Sequence, residues 1–148
     1  MVFSSRIWWH STCIIPRMAG ILCNKSILII DDDARMLKAL EKVLADEGAT
    51  VTCAELAMDA FKILAVRSAD FNLVITDLGL PFVRGERAIR IIHEILPELP
   101  ILVLTAFGGP EVKAECMRQG AVALLEKPLD TKRLLEATSQ IFDAKKVL

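Results

Sequence analysis

Five short apolar runs alternate with segments of helical periodicity, and this alternation constrains the fold more than any other feature of the sequence. Continuous apolar runs of this length are typical of strands that are buried on both faces. Strands that alternate with helices predict an α/β fold, in which helices cover both faces of a parallel sheet. The predicted strands are 27–30 (ILII), 49–54 (ATVTCA), 73–77 (LVITD), 101–106 (ILVLTA) and 121–126 (AVALLE).

The helical segments between these runs carry their own start and stop signals. Asp33 suits the N-cap of the first helix, Gly48 and Gly120 suit the ends of the first and fourth helices, and Pro97 stops the third. No repeat or internal linker interrupts the five units, so we expect one folded domain. The predicted helices are 34–47, 56–66, 85–96, 111–119 and 130–142.

Composition excludes several classes of protein. The sequence is 53% hydrophobic, which argues against disorder, and its net charge of -1 without a basic block argues against direct nucleic-acid binding. The four cysteines form no C-x-x-C pair, so neither a zinc site nor a disulfide framework is expected, and a reducing, cytoplasmic compartment is the simpler interpretation. No apolar run reaches the length of a membrane-spanning helix, so no membrane insertion is expected.

The first residues, MVFSSRIWWHSTCIIPR, have no clear periodicity and differ in character from the rest of the chain. Their apolar stretch is short for a signal peptide and lacks a good small-residue cleavage site. We expect residues 1–24 to be an N-terminal extension, either disordered or upstream of the true start at Met18. Residues 25–148 are then the folded domain.

Charged and hydroxyl side chains gather where four of the five predicted strands end. Parallel strands of such a sheet bind ligands outside their carboxyl ends, at the point where the strand order reverses. A single carboxylate after a strand is usually a helix cap or a turn former, but capping does not explain the joint placement. The residues at this edge are Asp31, Asp32, Asp33, Asp77, Thr105 and Lys127.

This set suits phosphoryl transfer to a carboxylate. An aspartate can act as the nucleophile and form an aspartyl phosphate. The repulsion among Asp31, Asp32 and Asp77 would be relieved by Mg²⁺, which prefers oxygen ligands and neutralises phosphoryl charge. Lys127 offers a point charge to a phosphoryl oxygen and Thr105 a hydroxyl donor. We assign Asp33 to capping rather than to metal binding.

The motifs ILIIDDD, LVITDLGLPFVRG, ILVLTA and EKPLD, in this order and spacing, resemble the receiver domain of two-component response regulators. The resemblance extends from residue 26 to about residue 142. It implies a flavodoxin-like, doubly wound, five-stranded parallel sheet of order 2-1-3-4-5 with five helices. It also implies that Asp77 is the residue phosphorylated by a histidine-kinase partner.

The resemblance further implies the roles of the neighbouring residues. Asp32 would bind Mg²⁺ directly, Asp31 would bind it through water, and the backbone carbonyl of Gly79 would complete the protein ligands together with Asp77. Thr105 and Lys127 would hold the phosphoryl group and carry the switch. The Lys127–Pro128 bond would be cis.

The sequence departs from the family pattern at Leu124, where an aromatic residue is usual, so the familiar ring rotation on phosphorylation cannot occur as such. Phe107, two residues after Thr105, carries two hypotheses. It shields the acyl phosphate from water, or it is a loop aromatic that docks a partner. Arg84, where an acidic residue is frequent, is interpreted as a solvated side chain.

The overall interpretation is a stand-alone receiver rather than an enzyme. It takes a phosphoryl group from a histidine kinase or a histidine phosphotransfer protein, dephosphorylates itself, and either switches a surface that binds a downstream protein or relays the group.

The sequence leaves three alternatives open. A pseudo-receiver would bind partners without phosphorylation. A haloacid-dehalogenase-type phosphohydrolase would use the D-x-D of Asp31 and Asp33, although Arg35 and the lack of a later acidic pair disfavour it. His93 resembles the phosphorylated box of histidine kinases, but it lies in the third predicted helix and no ATP-binding region accompanies it.

Overall fold

The computed structural model describes residues 20–146 and shows a five-stranded sheet in the order β2-β1-β3-β4-β5, with every neighbouring pair parallel. The predicted fold class and strand order are confirmed. The strands are β1 (Ser26–Ile30), β2 (Thr50–Ala54), β3 (Leu73–Asp77), β4 (Ile101–Thr105) and β5 (Ala123–Glu126). The helices are α1 (Ala34–Asp46), α2 (Ala57–Arg67), α3 (Gly85–Ile95), α4 (Pro110–Gln119) and α5 (Thr131–Lys146).

Helices cover both faces of the sheet, and the alternate residues of a strand belong to two separate hydrophobic clusters. Leu28 and Ile30 of β1 lie in the cluster beneath α2, α3 and α4. Ile27 and Ile29 of the same strand lie in the cluster beneath α1 and α5. Successive side chains of a strand point to opposite faces, so a strand covered on both sides must be apolar at every position. This explains the continuous apolar runs of the sequence.

Local signals set the helix boundaries close to where the sequence predicts them. The side chain of Asp33 accepts hydrogen bonds from the amides of Arg35 and Met36, so it is the N-cap of α1, as expected. Gly48 and Gly120 follow α1 and α4 with φ values of 95° and 117°, which glycine adopts without steric cost. The last helix is longer than predicted and reaches Lys146.

The packed part of the chain begins before residue 25. Residues 21–24 form a turn, and Leu22 within it is fully buried in the α1/α5 cluster. The amide of Leu22 donates a 2.9 Å hydrogen bond to the carbonyl of Glu47 at the end of α1. The rest of the expected extension, residues 1–19, lies outside the described residues.

Membrane insertion was not expected from the sequence. Among the helices of residues 20–146, none combines the length and the apolar character needed to cross a bilayer.

Candidate functional site

Three carboxylates meet at the carboxyl edge of the sheet. Asp77 ends β3, and Asp31 and Asp32 follow β1, the strand beside it. Ligand oxygens of the three side chains lie within 4.8 Å of one another, and within residues 20–146 this is the one such group of potential metal ligands. Asp31 is 1% exposed and Asp77 7% exposed, whereas Asp32 faces solvent. Two of the three like charges are therefore buried together.

Lys127 supplies the positive charge of the cluster. Its Nζ lies 3.1 Å from Oδ2 of Asp31 and 3.0 Å from Oδ1 of Asp77, and its side chain is 20% exposed. Burial lowers the pKa of Lys127, but the hydrogen bonds and the charge attraction to Asp77 and Asp31 together outweigh burial and leave the pKa above its ordinary value. Lys127 is therefore a fixed cation. The expected cis bond between Lys127 and Pro128 is present.

Backbone amides hold the remaining oxygens of the two buried carboxylates. Oδ1 of Asp31 accepts a 2.9 Å hydrogen bond from the amide of Asp33. Oδ2 of Asp77 accepts a 3.0 Å hydrogen bond from the amide of Gly79. A Cβ at Gly79 would lie 3.1 Å from that same oxygen, so glycine leaves room beside the carboxylate. Asp77 is thus oriented by Lys127 on one oxygen and by Gly79 on the other.

Thr105 lies at the same edge, but its hydroxyl has other partners. The hydroxyl donates to the carbonyl of Phe107 at 3.0 Å and accepts from the amide of Phe107 at 3.2 Å. The backbone of Thr105 is next to the lysine, because the amide of Lys127 donates a 2.8 Å hydrogen bond to its carbonyl. The side chain of Thr105 is therefore tied to the β4–α4 loop rather than to Asp77.

The donor set fits a divalent cation. One ammonium group faces three carboxylates, so the cluster keeps net negative charge where two of its members are nearly inaccessible to water. Carboxylate oxygens together with a backbone carbonyl are ligands that Mg²⁺ accepts, and the partly exposed side of the cluster leaves space for water ligands. Asp31, Asp32, Asp77 and the carbonyl of Gly79 are the residues that would hold it.

Two exposed aromatic rings lie in the loops that follow β3 and β4, the strands that end in Asp77 and Thr105. Phe107 is 86% exposed in the β4–α4 loop, and Phe82 is 94% exposed in the β3–α3 loop. No sequence motif singles out Phe82, whose φ of 69° is unusual for a bulky residue. Its position in the loop between Asp77, at the end of a strand, and the following helix is the feature of the sequence that could have identified it.

The other residues noted in the sequence have different surroundings. Leu124 is half-buried and packs against the cluster beneath α2, α3 and α4. Arg84 is exposed at the start of α3, as expected. His93 is half-buried in α3, and a Cβ at Gly120 would overlap its side chain. His93 therefore packs against the end of α4, which does not suit a phosphorylated histidine.

The sequence matches known proteins along most of its length. The family model of the response regulator receiver domain matches residues 27–139. The response regulator protein FleR of Pseudomonas aeruginosa is 34% identical over 114 residues, which is 77% of this chain and 24% of FleR. The transcriptional regulatory protein ZraR of Salmonella typhimurium is 36% identical over 110 residues, 74% of this chain and 24% of ZraR. The chain thus spans about a quarter of the length of these relatives.

Solved structures agree with the sequence matches. A response regulator receiver domain protein from Clostridium thermocellum has a TM-score of 0.78 at 28% identity, and the match covers 83% of this chain and 98% of that one. A CheY-like receiver domain protein from Methanospirillum hungatei has a TM-score of 0.76 at 27% identity, with 84% and 98% covered. The family model covers well over half of the chain, and the chain therefore belongs to the response regulator receiver domain family.

Proposed function

We propose that this receiver accepts a phosphoryl group from a phosphohistidine donor onto Asp77. Membership of the family supports a phosphoacceptor role in general. The observation that carries the assignment to Asp77 is its position. Of the three clustered carboxylates, it alone both ends a strand and contacts Lys127 and the Gly79 amide. The donor would be a histidine kinase or a histidine phosphotransfer protein.

In the proposed step a carboxylate oxygen of Asp77 attacks phosphorus. The O–P bond forms while the P–N bond to the donor imidazole breaks, and the imidazole leaves with the electron pair and takes up a proton. Lys127 stabilises charge on a phosphoryl oxygen, and Asp31 keeps the lysine in place. Receiver domains generally use Mg²⁺, which when bound here would neutralise the acidic cluster and the phosphoryl oxygens. Hydrolysis of the acyl phosphate would return the carboxylate, so the protein is a self-dephosphorylating acceptor rather than an enzyme.

The switch is proposed to run through Thr105. Its hydroxyl is bonded to Phe107, so a phosphoryl group on Asp77 would compete for the donated hydrogen bond. A shift of Thr105 would then move the β4–α4 loop and change the surface offered to a downstream protein. Leu124 is already packed against the core, so the loop rather than a rotating aromatic ring would carry the change.

The downstream partner in this proposal is a protein. Relatives such as ZraR are named transcriptional regulatory proteins, and this chain matches about a quarter of them. That this chain acts as a stand-alone receiver in the cytoplasm, with a protein target and no direct nucleic-acid contact, stays a prediction.

Intact mass spectrometry after incubation with Mg²⁺ and acetyl phosphate tests the proposal. We expect one added phosphoryl group in the wild type, none in Asp77→Asn, and none after chelation of the metal. If neither protein gains an adduct although Mg²⁺ binds, the proposal is wrong. A phosphatase assay with p-nitrophenyl phosphate would then separate a phosphohydrolase from a pseudo-receiver.

A further inference from the structure

A shallow groove of about 330 Å³ lies on the outer face of α5, beside the point where the described chain begins. Ile21 forms one side of it, and Leu135, Glu136 and Ser139 lie along the other. Ile21 is 60% exposed, whereas its neighbour Leu22 is fully buried. The groove therefore presents apolar surface that nothing in residues 20–146 covers.

The chain leaves the fold at the edge of this groove. Gly20 packs so closely on the backbone of Glu47 that a Cβ there would overlap it, and Leu22 is held to the same carbonyl by its amide. These contacts fix the position of residue 20, to which the preceding segment, residues 1–19, is covalently attached. A covalently attached segment this close has a high effective concentration at the groove.

The composition of residues 1–19 suits such a surface. Segments that remain in solvent are poor in aromatic and β-branched residues, but this one contains Trp8 and Trp9 together with Ile7, Ile14 and Ile15. It also contains Arg6 and Arg17 and no acidic residue, while the groove is lined by two acidic residues, Glu136 and Asp143, against one lysine, Lys132. Apolar content and charge both complement the outer face of α5.

We propose that residues 1–19 fold back and bind the groove between Ile21 and α5, with Trp8 and Trp9 as the apolar anchors. Aromatic anchors of this kind contribute large contact area at small conformational cost. The segment would then cover the outer face of the last helix, and a partner that uses α5 would have to displace it. That consequence rests on the proposed function, whereas the binding itself does not.

Tryptophan fluorescence of the full 148-residue chain tests this directly, because Trp8 and Trp9 are its two tryptophans and it has no tyrosine. We expect blue-shifted emission and weaker acrylamide quenching than for the same protein in urea. Ser139→Arg and Ile21→Asp, both on the groove, should shift the emission to the red and restore quenching. Val66→Arg on α2, at an 85% exposed position across the sheet, is the matched control and should change neither.

Circular dichroism of each variant shows whether the domain remains folded, and two different groove variants guard against the failure of one. Wild-type tryptophans that are quenched as readily as in urea would overturn the proposal. Tryptophans that stay protected from acrylamide in both groove variants would overturn it as well. Protection that appears only at high protein concentration would mean that the segment binds a second copy, and would also overturn the intramolecular form. None of these readouts depends on phosphorylation.

Discussion

At the scale of single residues, the site is a set of charges whose burial by the fold is unfavourable in free energy. Asp31 and Asp77 are almost fully buried, and burial of like charges is unfavourable unless they are paired and hydrogen-bonded. Lys127 and two backbone amides supply those partners. The remaining negative charge is what a divalent cation would balance.

Replacing Lys127 tests this balance of charge. In the presence of a chelator, Lys127→Met should lower the free energy of unfolding by about 2 kcal/mol, less than for a fully buried pair because the lysine is 20% exposed. Mg²⁺ should raise the melting temperature of the variant more than that of the wild type. Lys132→Met, at an 81% exposed lysine with a 4.0 Å ion pair, is the control. Equal losses in denaturant titrations of the two variants would contradict the ionic role.

Two hypotheses compete for the role of Phe107, and the rate at which the protein loses its phosphoryl group separates them. If its ring keeps water from the acyl phosphate, Phe107→Ala and Phe107→Glu should lose the phosphoryl group severalfold faster than the wild type. Phe82→Ala removes the other exposed ring and should leave the decay unchanged. Decay followed by intact mass after removal of donor decides it. Unchanged decay in both Phe107 variants would leave partner docking as the role of the ring.

At the scale of elements, register and caps bring the site residues to one edge. Ile30 pairs with Thr76, and Asp77 pairs with Leu104, so the residues at the end of each strand are neighbours. Thr105 pairs with Glu126, which sets Lys127 beside them. The helices then begin directly behind the site, as α1 does at Asp33.

Asp32 and Asp33, adjacent residues before α1, should have different roles that substitution can distinguish. Asp33→Ala removes the N-cap and should lower the free energy of unfolding by about 1 kcal/mol, with little effect on Mg²⁺ affinity. Asp32→Ala should weaken Mg²⁺ binding and leave apo stability unchanged or raised, since it removes a like charge. Urea denaturation and titration with Mg²⁺ measure the two effects. A larger loss of metal affinity in Asp33→Ala than in Asp32→Ala would reverse the assignment.

The end of α4 depends on a glycine for two reasons that can be measured apart. Gly120 has a φ of 117°, and a Cβ there would overlap His93. Gly120→Ala should lower the free energy of unfolding by about 2 kcal/mol, through backbone strain and overlap together.

Replacing His93 separates the two contributions. His93→Ala in the Gly120→Ala background should recover the part due to overlap and leave the part due to strain. If Gly120→Ala lowers the free energy of unfolding equally in the wild-type and His93→Ala backgrounds, as measured by chemical denaturation, packing against His93 contributes nothing.

At the scale of the whole molecule, the sequence predicts what depends on periodicity and on strand ends. Apolar runs at strand spacing predict the parallel sheet, and the polar residues after them predict the cluster of Asp31, Asp77 and Lys127. Local chemistry also predicts the cap at Asp33. These features depend on short-range patterns that leave few alternatives.

Other features depend on contacts that no local pattern encodes. The hydroxyl of Thr105 bonds to Phe107 because the conformation of its loop places both backbone groups within reach. The φ of 69° at Phe82 and the packing of Leu124 are likewise set by the surrounding fold. The burial of Leu22 requires a pocket that exists only once α1 and α5 have packed.

The most direct test of the central claim is to locate the phosphoryl group. The protein is loaded with acetyl phosphate and Mg²⁺ and then reduced with borohydride, which converts an aspartyl phosphate to homoserine, and its peptides are sequenced by mass spectrometry. We predict homoserine at position 77 and at no other aspartate. Homoserine at position 31 or 32 instead, or its absence from a protein that binds Mg²⁺, would contradict the account.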